Sequence, residues 1–508
     1  MASCCVPDVW GWIRSLPPIN QWKTNALSIH ICTSHLTSQS LDLLVTKNLQ
    51  NQTPQISFTI CLDFNLPISL WTSSSFQPSD MYGLDEDTIR RFFFDIVKGV
   101  LKYGPNNKFP YREPEIQISQ DFSDIFNLAF TTLSLLVCIY EAPPHLRREF
   151  IDTLRVQLVS SRLRAASKPL MRFLGSNLEE QWMRSVNLGI TNWIRELKPS
   201  SNDFMPPSPL FSYALSARRL WKVQLYCPMV ALSVEYPSGS TKEERLQFSL
   251  DYQQFESVFQ FSYKVIFKEN WIDVMVNVDN IRCDVIPLIS ETLMSKQGYG
   301  SEEKHFPSRI SLQLTPTLQS DIISVSVSKS TDNPIHEVGL EKGLETSFDA
   351  PASLGITISA TETHTMSLKP WKFEQSVYGD SAILNWFLHD GTNGQEVFSC
   401  KPPKLALCKP RSWFRNRYTS AYRPFTRQGG VIFAGDEYGE RVCWKVSEGA
   451  LGKTMEWEIK GKIWLTYWPN KHKTFYSETR RLEFRELTRA PSKVHFLFLT
   501  WKLQTTNP

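Results

Sequence analysis

Strict two-residue alternation across residues 258–281 is the feature that most limits what this chain can fold into. Aromatic and β-branched residues alternate with polar ones along two runs that flank a turn at residues 269–270: Phe259, Phe261, Tyr263, Val265 and Phe267, then Ile272, Val274, Val276 and Val278. In extended strands this spacing puts the hydrophobic side chains of each run on one face. The polar positions set lysines in one run against aspartates in the other. The pattern predicts an antiparallel hairpin with one buried and one solvated face.

Similar alternation recurs through the carboxy-terminal half of the chain, at residues 310–314, 322–327, 354–361, 382–388, 457–468 and 474–487. Turn-forming residues separate the runs, as at residues 390–394, where Asp, Gly and Asn tolerate positive φ. Many short strands with frequent turns are typical of β-sandwiches. We therefore predict that residues 213–508 form an antiparallel β-sandwich region with one or two sandwiches.

Helical signals dominate the amino-terminal part of the chain. Acidic residues at 85–87 precede hydrophobic residues at helical spacing, and Gly104 and Pro105 follow them, so a helix is expected there. Three further helices are predicted at residues 125–140, 146–167 and 178–197, and two strands at 27–32 and 55–64. The predicted fold class is α+β, with a helix-rich amino-terminal region followed by a mainly antiparallel all-β region.

Prolines crowd the sequence KPSSNDFMPPSPL at residues 198–210. Proline removes backbone donors and polar neighbours disfavour burial, so this segment is expected to be an exposed linker. A chain of 508 residues also exceeds what one hydrophobic core usually serves. We predict a helix-rich α+β domain at residues 1–200, a linker at 201–212 and the sandwich region at 213–508.

Residues 125–140 are the best candidate for a membrane span, because they carry no charge. This run is nevertheless shorter than the ~20 residues that a bilayer-spanning helix needs, and it contains Asn127 and three hydroxyl side chains. We interpret it as a buried helix that ends at Pro143 and Pro144, and we expect no transmembrane segment.

The ten cysteines are scattered, without a CxxC pair and without histidine at ligand spacing. Reduced thiols in a cytoplasmic protein are the simplest interpretation. The amino terminus lacks the apolar run of a secretory signal, and Cys4 and Cys5 are expected to be unmodified. The Ser/Thr-rich residues 24–40 are faintly similar to a transit peptide, which makes the plastid the alternative location.

Sequence signatures of common enzymes are missing: no GxGxxG after a strand, no GxxxxGK[ST], no GxSxG and no HExxH. The nine histidines are dispersed, and His364, His389 and His495 fall in predicted strands or at their ends, where structural roles are favoured. Asp273, Asn277 and Asp279 lie on one strand face, which cannot surround a calcium ion. We therefore expect no catalytic residue, no metal site and no cofactor.

Residues 400–434 contain eight cations interleaved with aromatic residues and no acid. If this segment binds a partner, the contact residues are expected to be Arg411, Trp413, Arg415, Arg417, Tyr418, Tyr422, Arg423 and Arg427. Guanidinium groups with rings suit phosphate, nucleic acid or an anionic membrane surface. The same residues can instead be paired inside the fold with Asp436, Glu437, Glu440 or Glu448. Internal pairing is favoured, and an exposed anion site or a protein-binding surface are the alternatives.

A second set of cations, Arg148, Arg155 and Arg162, recurs every seven residues in a predicted helix. These arginines could form a surface that faces an anion. A solvated helix face, with Asp152 available to Arg148 and Arg155, is the favoured interpretation.

Residues 371–486 include WKFEQSVYGDSAILNWFLHDG, RSWFRNRYTSAYRPFTRQGGVIFAGDEYGERVCWKV and WLTYWPNKHKTFYSETRRLEFRE. Over these segments the chain resembles a family of uncharacterised seed-plant proteins. The resemblance implies a plant origin and no activity, cofactor or site residue. We expect a non-catalytic binding or scaffolding protein of the plant cell. The alternatives are an enzyme with its active site in a β-sandwich cleft, and an anionic-lipid or nucleic-acid binder acting through residues 409–427.

Overall fold

The computed structural model describes residues 7–33, 39–48, 54–64, 66–77, 84–105, 122–197, 211–217, 219–235, 243–290, 303–328, 336–341, 363–368, 371–389, 431–434, 438–451, 453–467 and 476–490. The predicted linker at 198–210, the predicted strand at 354–361 and the turn at 390–394 lie outside these ranges. Of the basic segment at residues 400–434, only the last four residues are described.

The amino-terminal region combines an antiparallel sheet with a layer of helices. Its elements are α1 (Val9–Arg14), β1 (Ala26–Thr33), β2 (Ser40–Asn48), β3 (Gln55–Leu62), β4 (Ile68–Thr72), α2 (Glu86–Lys102), α3 (Phe122–Glu141), α4 (Pro144–Val159) and α5 (Ser161–Leu197). The strands pair in the order β1-β2-β3-β4. Phe58 of β3 stacks on Phe92 of α2 with ring centroids 3.9 Å apart, so the sheet and the helices share one hydrophobic core.

The predicted helix at residues 85–104 is confirmed as α2. Asp85 caps it by accepting a hydrogen bond from the backbone N–H of Thr88 at 3.2 Å, and Glu86 and Asp87 occupy its first turn. Helix α3 coincides with the apolar run at residues 125–140 and is buried almost throughout, as predicted. Within the described ranges, α3 is also the one helix long and apolar enough to cross a membrane.

The boundary between α4 and α5 differs from the prediction. A single helix was expected over residues 146–167, but Ser160 adopts extended torsions (φ −55°, ψ 146°) and separates α4 from α5. The Ser160 hydroxyl then accepts from the backbone N–H of Leu163 at 3.4 Å, near the start of α5. Helix α5 itself is kinked at Gly175, whose φ of 72° is left-handed. The second part of α5 contains the helix predicted at residues 178–197.

The carboxy-terminal region is built from two large antiparallel sheets. Its elements are β5 (Phe211–Ala217), β6 (Leu220–Pro228), β7 (Ser233–Val234), α6 (Glu244–Asp251), β8 (Gln253–Phe267), β9 (Trp271–Pro287), β10 (Phe306–Pro316), β11 (Ile322–Val327), β12 (His336–Glu341), β13 (Thr363–Leu368), β14 (Trp371–Tyr378), β15 (Ser381–Leu388), β16 (Val431–Ala434), β17 (Arg441–Ser447), β18 (Met455–Tyr467) and β19 (Glu478–Ala490). One sheet has the order β14-β15-β10-β18-β19-β7 and the other β11-β17-β9-β8-β6-β5, with β16 beside β9. Strands β12 and β13 form a separate pair.

The two large sheets pack face to face around one aromatic core. Trp221 of β6 and Trp457 of β18 come from different sheets, and their ring centroids lie 5.2 Å apart. Phe259 of β8 meets Phe484 of β19 in the same way at 5.6 Å. The predicted fold class is therefore confirmed, with one sandwich in the described part of the chain.

The hairpin predicted at residues 258–281 is confirmed as β8 and β9. It is longer than predicted, and its register shifts between Gln260 and Phe261. The expected pairing of lysines with aspartates does not hold for Asp273, which lies opposite Ile266 and accepts a hydrogen bond from Trp271 Nε1 at 3.0 Å.

Candidate functional site

The residues predicted to bind a partner, Arg411, Trp413, Arg415, Arg417, Tyr418, Tyr422, Arg423 and Arg427, all lie outside the described ranges. Two of the acids proposed as their internal partners, Asp436 and Glu437, lie outside them as well. The other two differ from each other, because Glu440 is buried, with 4% of its surface exposed, and Glu448 is exposed. The choice among the three interpretations of this segment stays a prediction.

Two other polar residues singled out in the sequence contact neighbouring residues of the fold. His389 Nδ1 lies 3.1 Å from the carbonyl oxygen of Phe387. Asn277 Oδ1 accepts a hydrogen bond from Arg441 Nε at 3.3 Å, across the strand pair. Within the described ranges, no three His, Cys, Asp or Glu side chains converge in a way that could hold a metal ion.

A cleft of about 1120 Å³ lies between the helices of the amino-terminal region and the sandwich. Residues of α3, α4 and α5 form one wall, and residues of β5, β18 and β19 with residues 231–233 form the other. Volumes of this order are typical of sites for small organic ligands. The cleft is the candidate site because both structural regions contribute to it.

The cleft walls are largely aliphatic and aromatic, with contributions from both sides: Val156, Val159, Leu163, Ile190, Leu482 and Phe484. Val156 and Val159 are three residues apart on α4 and keep 63% and 61% of their surfaces exposed. Exposed apolar side chains grouped at a concave surface commonly mark a binding site. An apolar ligand in the cleft would remove these two side chains from water.

Cations flank the apolar walls on both sides. Arg155 of α4 belongs to the stripe identified in the sequence, but its side chain is only 11% exposed and is not on a solvated face. Its guanidinium lies 4.4 Å from the ring centroid of Trp193 and 3.2 Å from Asp152 Oδ1. Burial lowers the pKa of Arg155, and the carboxylate of Asp152 opposes that change.

The other members of that stripe fit the earlier interpretation only in part. Arg148 is exposed, in agreement with a solvated helix face. The side chain of Arg162 is outside the described part of the molecule.

On the strand wall, each lining cation has an acidic partner. Glu483 Oε1 lies 3.1 Å from Arg481 Nε and 3.6 Å from Lys462 Nζ. Glu458 pairs in the same way with Lys460, at 2.9 Å, and with Arg485. The positive charge of this wall is therefore largely balanced by its own carboxylates.

The helix wall is different, because Arg164 of α5 is exposed and forms no ion pair with any residue that the structure describes. The carboxylate of Glu486 interacts electrostatically with Arg164 and with Lys168, one turn further along α5. Burial raises the pKa of Glu486, and the hydroxyl of Ser212 donates a hydrogen bond to it. Glu486 therefore balances these cations only in part.

A polar interface fixes α5 against the sandwich beside the cleft. Arg184 of α5 donates to both carboxylate oxygens of Glu256 on β8, at 2.8 Å and 3.1 Å. Asn187 Nδ2 donates to Gln254 Oε1 at 2.6 Å. The Arg184–Glu256 pair is charge-assisted and the Asn187–Gln254 bond is buried, so together they fix α5 against the sandwich and the cleft is preformed.

The described cysteines do not supply a nucleophile. Cys32, Cys61, Cys138, Cys227 and Cys283 are buried and form no disulfide, and Cys443 is partly buried. Burial raises the pKa of Cys61 to about 11 and that of Cys283 to about 12. Both thiols are therefore protonated and unreactive near neutral pH.

Sequence reasoning did not identify the cleft. Its walls combine residues from 128 to 485, so the site exists only after the helices have packed on the sandwich. The exposed pair Val156 and Val159, on the side of a helix rich in charges, was the one local signal.

Comparisons with known proteins assign this chain to no family. No family model matches this chain, and no curated protein matches it. Among solved structures, it is similar to the crystal structure of the Clostridium perfringens NetB toxin in its membrane-inserted form, at 9% sequence identity. That similarity covers 56% of this chain and 94% of the toxin chain, and its TM-score of 0.19 is too low to indicate a shared fold.

Proposed function

We propose that this protein is a non-catalytic binding protein of the plant cell cytoplasm, and that its site is the cleft between α3–α5 and the sandwich. The observation that carries the proposal is a preformed volume of about 1120 Å³ with apolar walls. Such a volume exceeds what a few ordered waters would fill and suits an organic molecule with an extended apolar body.

The chemistry of the cleft favours binding over catalysis. Of the lining residues in the described ranges, none is a histidine or a cysteine. The hydroxyl of Ser167 donates to the carbonyl oxygen of Arg164 at 2.7 Å, and that of Ser212 donates to Glu486. The lining carboxylates, Asp152 and Glu483, are held by arginine or lysine. No nucleophile–base pair of the kind that hydrolases use is assembled from these groups.

A neutral solvatochromic dye, Nile red, tests the proposal, because its fluorescence reports transfer to an apolar site without help from charge. We expect saturable binding with a blue-shifted emission. Val156→Trp places a large ring at the cleft mouth and is expected to weaken binding by about tenfold, or ~1.4 kcal/mol. The matched control is Ile323→Trp, since Ile323 is 57% exposed on β11 and lies outside the cleft lining.

Two results would contradict the proposal. Equal dye affinity for both tryptophan variants and the parent would place binding elsewhere. Chemical conversion of a bound alcohol or ester, detected by mass spectrometry after incubation, would support the enzyme alternative instead.

A further inference from the structure

We infer that the ligand of the cleft is an amphiphile with an acidic head group, and that the head group binds to Arg164 and Lys168 of α5 while the apolar chain occupies the cleft. This inference rests on the proposed function. It adds the charge of the ligand, its orientation and the residues that recognise it.

Three cations follow one another along one side of α5 at four-residue spacing: Arg164, Lys168 and Arg172. Like charges at this spacing destabilise a helix. None of the three forms an ion pair with another residue in the described part of the chain. The fold therefore keeps an unbalanced positive stripe, which an anion would stabilise.

The surroundings of Lys168 show the same imbalance. Burial lowers the pKa of Lys168, and the charges of Arg172 and Arg489 lower it further. Glu486 is the acid that acts against them, and burial raises its own pKa. Glu486 has a single carboxylate, so it cannot neutralise both Lys168 and Arg164.

The position of Arg164 links this charge to the apolar cleft. Arg164 lines the cleft together with its neighbour Leu163 and with Val159, the last residue of α4. A guanidinium can bind a carboxylate or a phosphate through two parallel hydrogen bonds, and a lysine adds a second positive charge. A molecule with an acidic end and an aliphatic body satisfies both features at once.

The strand wall does not compete for the head group. Lys460, Lys462, Arg481 and Arg485 already contact Glu458 or Glu483. A ligand anion there would have to displace a carboxylate that lies in place. The cations of α5 therefore decide the orientation of the ligand, with its acidic head group toward α5.

The test is displacement of Nile red by three ligands with the same chain: dodecanoate, dodecyl phosphate and 1-dodecanol. At low ionic strength we expect the two anions to bind at least about tenfold more tightly than the alcohol, equivalent to ~1.4 kcal/mol. Arg164→Gln with Lys168→Gln should bring the ratio of anion affinity to alcohol affinity close to one and leave the affinity for dodecanol unchanged. The control, Lys460→Gln with Lys462→Gln, should preserve the ratio.

The outcomes separate the two proposals. Equal affinity of the parent for dodecanol and dodecanoate would overturn the head-group inference and leave the proposed function intact. Failure of all three ligands to displace the dye would overturn the head-group inference, whereas absence of saturable dye binding to the parent would overturn the proposed function as well. Tight binding to vesicles of phosphatidic acid without binding of free dodecanoate or dodecyl phosphate would assign the α5 stripe to a membrane surface and overturn the inference. A thermal melt of the double variant should show a cooperative transition, which checks that it folds, because the change relieves repulsion among like charges but also removes two cations that interact with the carboxylate of Glu486.

Discussion

The carboxylate of Glu478 and the guanidinium of Arg480, two residues apart on β19, form an ion pair inside the protein. Glu478 Oε1 lies 2.7 Å from Arg480 Nε, and their side chains are only 2% and 3% exposed. Burial alone would raise the pKa of Glu478, but the charge of Arg480 and the hydrogen bonds from His305 and Tyr476 hold it well below its usual range.

This pair belongs to a network that reaches the helical region. Arg480 Nη2 lies 3.4 Å from Asp251 Oδ1 of α6, and Asp251 Oδ2 accepts from Arg195 of α5 at 3.0 Å. Asp251 therefore connects a strand of the sandwich to the helix that carries the proposed head-group site. Together with Arg184 and Glu256, the network fixes the position of α5.

Breaking the buried pair should destabilise the fold strongly. Arg480→Met leaves Glu478 in the interior without its cation, and we expect a loss of about 3–5 kcal/mol in the free energy of unfolding, measured by urea denaturation. Glu478→Gln with Arg480→Met should cost less than the sum of the single changes.

Lys453→Met provides the comparison, since it breaks the exposed Lys453–Asp321 pair at 3.1 Å. That change should cost less than ~1 kcal/mol. If Arg480→Met lowered the free energy of unfolding no more than Lys453→Met does, the buried pair would contribute no net stability.

The pH dependence of stability should depend on Glu179. Burial raises the pKa of Glu179, although the hydroxyls of Tyr213 and Tyr226 donate to it and act in the opposite direction. A carboxyl with a raised folded-state pKa favours folding below its unfolded pKa, and this contribution is lost as pH rises through the folded value. Glu179→Gln should therefore gain stability relative to the parent as pH rises from 4.5 towards neutrality.

Thermal melts at a series of pH values measure that gain. Glu448→Gln is the control, because Glu448 is exposed and the variant should follow the parent at every pH. A constant difference between Glu179→Gln and the parent across the series would show that the folded and unfolded pKa values are the same.

Packing in the sandwich should be sensitive to Gly461 on β18. A Cβ atom built there would lie 2.0 Å from Cε1 of Phe484, which is buried between the sheets. Gly461→Ala is expected to cost about 1–3 kcal/mol through overpacking, measured by urea denaturation. Phe484→Leu in the same chain should reduce that cost. If the alanine variant retained full stability with Phe484 in place, the ring would have an alternative position.

Local patterns in the sequence predicted the elements better than the site. Alternation at residues 258–281 predicted β8 and β9, because side-chain direction along a strand depends only on neighbouring residues. The break at Ser160 was missed because neither proline nor glycine marks it and hydrophobic periodicity continues on both sides. Glu478 and His305 are 173 residues apart, so their contact depends on packing that no local pattern contains.

The same distinction applies to the two groups of cations. The basic residues in 409–427 stand out in the sequence because they are closely spaced and no acid lies among them. Arg164, Lys168 and Arg172 are ordinary in sequence and become distinctive because α5 sets Arg164 in the lining of the cleft, while Lys168 lies within reach of the charges of Arg172 and of one acid, Glu486. Charge density along the chain and unbalanced charge in the fold are different properties, and only the second requires a structure.

The last prediction concerns the basic segment at residues 409–427. Glu440 follows this segment and is buried, and burying a carboxylate is costly unless hydrogen-bond donors or cations hold it. We therefore expect its arginines to support the fold. Arg415→Ala with Arg417→Ala should lower the melting temperature by several degrees and leave retention on anionic liposomes and on nucleic acid unchanged. The control, Arg148→Ala with Arg245→Ala, replaces two exposed arginines and should leave both the melting temperature and the retention unchanged. Loss of retention at an unchanged melting temperature would instead assign the segment to an external anion, and that binding should weaken steeply with salt because each neutralised phosphate releases counterions.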